Sequence, residues 1–156
     1  MFSGIFVPSF EVANSRRTSI SANETGDVLC SSVLTGSGTS IVKIGSGNLT
    51  LTSSLNSFTG GFIINAGKVS VGGEFTPPAA TSSTGANPAS FVPDYFQLNN
   101  GSTLSFSGSA TLASANKGIQ LGGGGGTIEI SITSPVNTYA GIISGTPTTA
   151  GTFSSA

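Results

Sequence analysis

Short segments in which apolar and polar residues alternate recur along this chain, and they constrain its fold more than any other feature. The clearest segment is 48–53, where Leu49 and Leu51 face one side and the threonines after them face the other. Three further segments repeat the pattern, at 68–71, 103–107 and 127–133. Each reads as a short β-strand with one buried face.

The spacing of these strands matches one coil of a solenoid. Leu49 and Val69 are 20 residues apart, and Leu104 and Ile128 are 24 residues apart. Antiparallel sandwiches and barrels usually space their strands by about 8 to 12 residues, whereas stacked repeats have periods of about 20 to 50. The chain is therefore predicted to be all-β, a parallel β-helix in which each strand lies on its counterpart in the preceding coil.

Glycine and asparagine mark the predicted corners of this solenoid. Shorter apolar pieces at 62–64 and 118–121 are bounded by Gly60-Gly61, by residues 65–67 and by the run Gly122 to Gly126. Such residues suit turns that need a positive φ. The glycine run lacks the Gly-Lys-Ser/Thr ending of a phosphate loop, and no Asp follows it as in calcium-binding repeats. We expect a corner there, without a bound ion.

Composition excludes several classes of function. Charged residues make up 7% of the 156, the net charge is −1, and the five basic residues are too few and too scattered to form a nucleic-acid-binding face. No stretch approaches the ~20 apolar residues of a membrane-spanning helix, so no membrane insertion by this segment is expected. The regular apolar residues also distinguish the chain from a flexible linker.

Little in the sequence points to catalysis. The chain has no histidine, which rules out Ser-His-Asp and Cys-His arrangements and removes the commonest nitrogen ligand of metals. The single cysteine, Cys30, is expected to be a core residue. Carboxylates such as Asp94 and Glu129 could form an acid–base pair, but surface positions are favoured for both. No catalytic residue, metal or cofactor is predicted.

Residues 73–96 break the alternation and hold four of the seven prolines. They are predicted to form a loop that leaves the solenoid. In one interpretation, an aromatic and acidic cluster in this loop forms a binding surface, made of Phe91, Asp94, Tyr95 and Phe96. In the favoured interpretation, Phe91 and Phe96 pack back onto the core, because large aromatic side chains are usually buried.

One segment has a specific family resemblance. Residues 45–52 read GSGNLTLT and residues 56–72 read NSFTGGFIINAGKVSVG. This wording resembles the passenger-associated transport repeat of bacterial autotransporters at nearly every fixed position, and it departs at Phe62, where the family commonly has Thr. The similarity extends more loosely over residues 31–146.

The resemblance implies a right-handed parallel β-helix that is exported and either secreted or displayed at the bacterial outer membrane. It implies a scaffold without catalytic residues, with a structural or adhesive role. Within this frame, residues 1–30 are expected to be an N-terminal cap or preceding coil, 31–146 the β-helix repeat region, and 147–156 the next coil or a C-terminal tail.

The expected partners are neighbouring β-helix coils of the same or identical chains, and a cell-surface protein or glycan. No nucleic-acid partner is expected. Two other functions stay open at this point. One is a phage tail-fibre or tailspike β-helix, and the other is a carbohydrate-active β-helix enzyme.

Overall fold

The computed structural model describes residues 26–72, 81–107, 115–131, 139–146 and 152–155. These residues contain eleven β-strands and no helix. In chain order the strands are β1 (Val28–Cys30), β2 (Ile41–Lys43), β3 (Asn48–Leu51), β4 (Phe62–Ile64), β5 (Lys68–Gly72), β6 (Val92–Leu98), β7 (Ser102–Ser107), β8 (Lys117–Leu121), β9 (Gly126–Ser131), β10 (Ile143–Gly145) and β11 (Thr152–Ser155).

The strands form two sheets, and successive strands alternate between them. The first sheet has the order β1-β3-β5-β7-β9-β11, and the second has the order β2-β4-β6-β8-β10. Every pairing between neighbouring strands is parallel. The chain thus winds as a β-solenoid in which each coil adds one strand to each sheet, and the predicted parallel β-solenoid is confirmed.

The register explains the spacing seen in the sequence. Leu49 is the direct partner of Val69, and Leu104 is the direct partner of Ile128. Val69 also pairs with Leu104, although the two are much further apart along the chain. The extra residues of that coil lie in the connection from β5 to β6, so the apolar column stays in register.

Two kinds of connection join the sheets. The turns from the second sheet to the first are short, whereas the connections from the first sheet to the second are longer. The predicted glycine corner lies in one of the short turns, between β8 and β9, where Gly124 and Gly125 have φ of 81° and 69°. At Gly67, with φ of 67°, an added Cβ would lie 2.5 Å from the carbonyl oxygen of Gly47. Glycine is therefore required at this corner for both conformation and space.

The core fills the space between the two sheets. Inward-facing Leu and Val side chains of the first sheet pack against a row of aromatic rings from the second, which we call the ring ladder. Phe62 and Phe96, which are partners in neighbouring strands, stack with ring centroids 5.3 Å apart, and Phe106 of the first sheet meets Phe96 edge-on at 6.1 Å. Cys30 is partly buried and packs against this core, as expected.

The predicted excursion at 73–96 ends earlier than the sequence indicated. Residues 92–98 form β6, a full member of the second sheet, and residues 82–85 are buried as well. The alternation was hidden because Pro93 interrupts it and because Tyr95 and Phe96 are both buried although they are consecutive. Residues 73–80, with Pro77 and Pro78, lie outside the described residues, as do 1–25 of the predicted cap.

Candidate functional site at the β6 bulge

Strand β6 carries an irregularity that no other described strand pair shows. Val92 pairs with Lys117 and Phe96 pairs with Ile119, so four steps along β6 match two steps along β8. The bulge lets Pro93 and Asp94 project into solvent, where both are exposed. On the neighbouring strand, an added Cβ at Gly118 would lie 2.5 Å from the carbonyl oxygen of Pro93, so the bulge requires glycine there.

The bulge also turns Tyr95 into the core. In a regular strand, consecutive side chains point to opposite faces, yet Tyr95 and Phe96 are 1% and 0% exposed. The Tyr95 ring meets the Phe96 ring edge-on at 5.1 Å. Its hydroxyl donates to the carbonyl oxygen of Thr84 at 2.7 Å and lies 3.3 Å from that of Ala86. Tyr95 therefore ties the end of the long connection to the second sheet.

Lys117 is buried beside Tyr95 at the start of β8, with 1% of its surface exposed. Its ammonium donates to Thr84 Oγ1 at 2.9 Å, to the carbonyl oxygen of Gly85 at 3.2 Å and to Ser82 Oγ at 3.4 Å. It also lies 5.0 Å from the centroid of the Tyr95 ring. A buried charge is costly unless it is well paired, and here three oxygens and an aromatic face replace water.

We refer to Ser82, Thr84, Gly85, Tyr95 and Lys117 as the internal polar cluster. A hydroxyl near a lysine amine can act as a nucleophile when substrate reaches it. In this cluster Ser82 and Thr84 are buried, and Ser82 Oγ donates to the Gly85 carbonyl oxygen at 2.6 Å. The arrangement holds the connection on the core, with both hydroxyl side chains and the lysine buried.

On the outer face of the second sheet, Asp94 at the bulge is bonded to Gln97, which pairs with Gln120, and Phe91 directly precedes the strand; we call these four side chains the outer strip. Phe91 directly precedes β6 and is 40% exposed. Asp94 is exposed and accepts a hydrogen bond of 3.2 Å from Gln97 Nε2. Gln97 is the register partner of Gln120 on β8, which is also exposed.

The structure separates the aromatic and acidic residues that the sequence grouped together. Phe91 and Asp94 lie at the surface, whereas Tyr95 and Phe96 are buried and belong to no surface. Phe96 thus packs on the core as the favoured interpretation expected, but Phe91 does not. The reason is the bulge, which changes the facing of residues within one strand and leaves no trace in composition.

The two carboxylates considered as a catalytic pair belong to different sheets. Both oxygens of Glu129 lie 2.9 Å from the ammonium of Lys68, an ion pair that reaches across β7 on the first sheet. Asp94 lies on the second sheet and bonds to Gln97. Among the described residues, no group of three His, Cys, Asp or Glu side chains could hold a metal ion.

A second buried lysine closes the corner between β2 and β3. Lys43 is fully buried, and its ammonium donates to the carbonyl oxygens of Ile44 and Gly45 at 2.9 and 2.6 Å. Burial lowers the pKa of Lys43. Sequence reasoning missed both buried lysines. The available signal was their position, since Lys43 follows Ile41 by two residues and Lys117 precedes Ile119 by two, which places both on the inward face.

The fold and this site together define a repeat architecture of stacked coils, with a polar cluster buried at the β6 bulge. Residues 41–71 match the family model described as Passenger-associated-transport-repeat. The matched segment contains β2, β3, β4 and most of β5, which is two successive coils. The resemblance seen in the sequence is confirmed over this segment.

No significant match was found among curated proteins or among solved structures. Within the described residues, no helix is long and apolar enough to cross a membrane.

Proposed function

We propose that this chain is an extracellular structural and adhesive segment of an autotransporter-like passenger, displayed at the bacterial outer membrane or released from it. The observation that carries the proposal is the match of residues 41–71 to the passenger repeat, in register with the coils of the solenoid. The same parallel strand pairing continues through β6 to β11. The repeat is therefore one part of a continuous scaffold.

The outer faces of the coils support a role that does not involve catalysis. The described carboxylates Asp27, Asp94 and Glu129 have separate structural partners, which are the Asn48 N–H, Gln97 and Lys68. An acid–base pair needs two carboxyl groups flanking one substrate bond. We accordingly propose a scaffold that presents a surface, and we place no reaction on it.

The ends of the solenoid support the proposed contacts with further coils. Among the described residues, four of the six exposed large apolar side chains lie in or beside terminal strands of the two sheets. They are Leu29 and Val33 near the start, and Ile142 and Ile143 near the end. Strand edges of this kind pair readily with other strands. We propose that coils of the same or an identical chain continue from them.

The location is tested with cells that produce the full protein. Antibodies raised against this chain are applied to intact cells, to permeabilised cells and to the culture medium, with a periplasmic protein as the control for leakage. We expect labelling of intact cells or recovery from the medium. Labelling that appears only after permeabilisation contradicts the proposal.

A tail-fibre role predicts different behaviour. Recovery of the protein in purified phage particles, as a trimer by sedimentation, would replace the passenger proposal with that alternative.

A further inference from the structure

We propose that the outer strip binds an uncharged oligosaccharide, with Phe91 as the stacking platform and Asp94, Gln97 and Gln120 as hydrogen-bonding groups. This inference deepens the adhesive role proposed above by naming the class of partner. It rests on exposure at the bulge, on the internal polar cluster behind it and on the charges of the surrounding surface.

Phe91 is the first reason to place a ligand here. Among the described residues it is the only aromatic side chain in the exposed class, and the other exposed large apolar residues are aliphatic. Most of those lie in or beside terminal strands, where further coils can cover them. Phe91 lies in the middle of the solenoid, next to a strand with partners on both sides, so coil stacking does not explain its exposure.

The construction behind the outer strip is the second reason. Two adjacent coils combine a two-residue bulge on β6 with a glycine required by close backbone approach and a lysine buried in the internal polar cluster, both on β8. Bulges of this kind often re-aim side chains beside functional sites. Departures from local rules concentrate at functional sites. The cluster fixes β6 from inside, and this holds Phe91 and Asp94 in place before a ligand arrives.

The side chains of the outer strip match the chemistry of a sugar. The face of an aromatic ring carries partial negative charge, and it attracts the polarised C–H groups that line one face of a pyranose. A carboxylate such as Asp94 accepts strong hydrogen bonds from hydroxyl groups. Amides such as Gln97 and Gln120 both donate and accept, as neighbouring hydroxyls on a sugar require.

The described lysines argue against an acidic ligand. Lys43 and Lys117 are buried, and Lys68 pairs with Glu129 on the other sheet. Among the described residues, therefore, no exposed cation lies beside the outer strip, while the exposed carboxylate of Asp94 repels anions. This selects uncharged sugars over uronic acids, sialic acids and sulfated or phosphorylated glycans.

The pairing of Gln97 with Gln120 sets the direction in which the ligand lies. Gln97 and Gln120 are register partners on adjacent strands, and strands in a sheet are about 4.8 Å apart. Equivalent amides are thus presented along the solenoid axis rather than along one strand. An elongated oligosaccharide lying across β6 and β8, with one ring on Phe91, contacts the whole outer strip.

The test uses the purified full chain in affinity electrophoresis. Native gels contain one of four neutral polysaccharides (mixed-linkage β-glucan, glucomannan, galactan or α-mannan), or one of two anionic ones (polygalacturonate or hyaluronate). We expect retardation by at least one neutral polymer and by neither anionic polymer. Phe91→Ala and Asp94→Asn each weaken that retention about tenfold or more, as expected for central anchors of a binding site.

Matched variants separate binding from folding. Leu55→Ala removes another exposed apolar side chain, and Asp27→Asn removes another exposed carboxylate, and both are expected to bind like the parent chain. Circular dichroism and thermal unfolding confirm that each variant is folded. The inference is overturned if no neutral polymer retards the chain, if either anionic polymer retards it, or if Phe91→Ala binds normally.

The assay is independent of cellular location. A surface-exposed chain that binds no neutral polymer overturns this inference alone, and a sugar-binding chain that labels only after permeabilisation overturns the proposed location alone.

Discussion

The ammonium of Lys117 lies 5.0 Å from the centroid of the Tyr95 ring, and the two residues reach this contact from adjacent strands of one sheet. The contact depends on the bulge in β6, which turns Tyr95 inward beside Phe96. Oxygens of Ser82, Thr84 and Gly85 also surround the ammonium. One buried charge thereby links the long connection, the bulge and the neighbouring coil.

Replacing Lys117 tests how much this link stabilises the fold. Lys117→Met keeps an unbranched side chain but removes the charge, and it leaves Ser82 and Thr84 without their ammonium partner. Because lost partners inside a core are costly, we expect the free energy of unfolding to fall by about 2 to 4 kcal/mol. Urea unfolding followed by circular dichroism measures the change.

Lys68→Met is the matched control, since it removes a lysine whose ion pair with Glu129 is partly exposed. Surface pairs contribute about 0 to 1 kcal/mol, so this variant should unfold nearly as the parent does. Equal effects of the two substitutions would show that burial of Lys117 has no special energetic role.

Gly118 tests the close packing at the bulge. In Gly118→Ala the new Cβ meets the Pro93 carbonyl oxygen and Cα at 2.5 and 2.7 Å, and backbone cannot move aside as a flexible side chain can. We expect a loss of about 1 to 3 kcal/mol in unfolding free energy. Gly123→Ala, where no atom lies within 4 Å of the added Cβ, should change little. A stable Gly118→Ala protein would mean that β6 can relax away from β8.

Much of the scaffold was readable from the sequence, because its signals are local and periodic. The alternation at Leu49 and Leu51 identified a strand, and the interval from Leu49 to Val69 is the true register between coils. The site was less readable. Whether Tyr95 faces inward depends on a bulge whose partner, Gly118, lies on another coil. The position of Lys117 two residues before Ile119 indicates an inward side chain, but only the fold brings Ser82 and Thr84 to it.

Phe96 tests the ring ladder that runs through the core. It stacks on Phe62 and meets Phe106 and Tyr95 edge-on, with no exposed surface. Phe96→Ala leaves a cavity between the two sheets, and truncating a buried Phe typically costs about 3 to 5 kcal/mol.

The control for Phe96 is Leu55→Ala, which removes a side chain that is 60% exposed and should shift unfolding by less than about 0.5 kcal/mol. Thermal unfolding of the two variants gives the comparison. Similar midpoints for both would contradict the ladder as the centre of the core.

Tyr139 reports on the packing of the later coils. Its hydroxyl donates to the carbonyl oxygen of Lys117 at 2.6 Å and lies 3.3 Å from that of Ile142, which links the start of β8 to the segment before β10. Burial raises the pKa of Tyr139 to about 12, while a backbone hydrogen bond with Ile119 acts in the opposite direction.

The raised pKa of Tyr139 makes stability fall in alkali. Unfolded tyrosine ionises near pH 10, so its contribution is complete below that pH and is lost as the pH rises towards 12. Tyr139→Phe should lower the unfolding free energy by about 1 kcal/mol at neutral pH, through the lost hydrogen bond. Above pH 10 it should approach the parent chain. The lowered pKa of Lys43 gives the opposite slope below its usual value, but it is common to both proteins and cancels. Urea unfolding at a series of pH values measures the difference, and parallel curves would contradict the assignment.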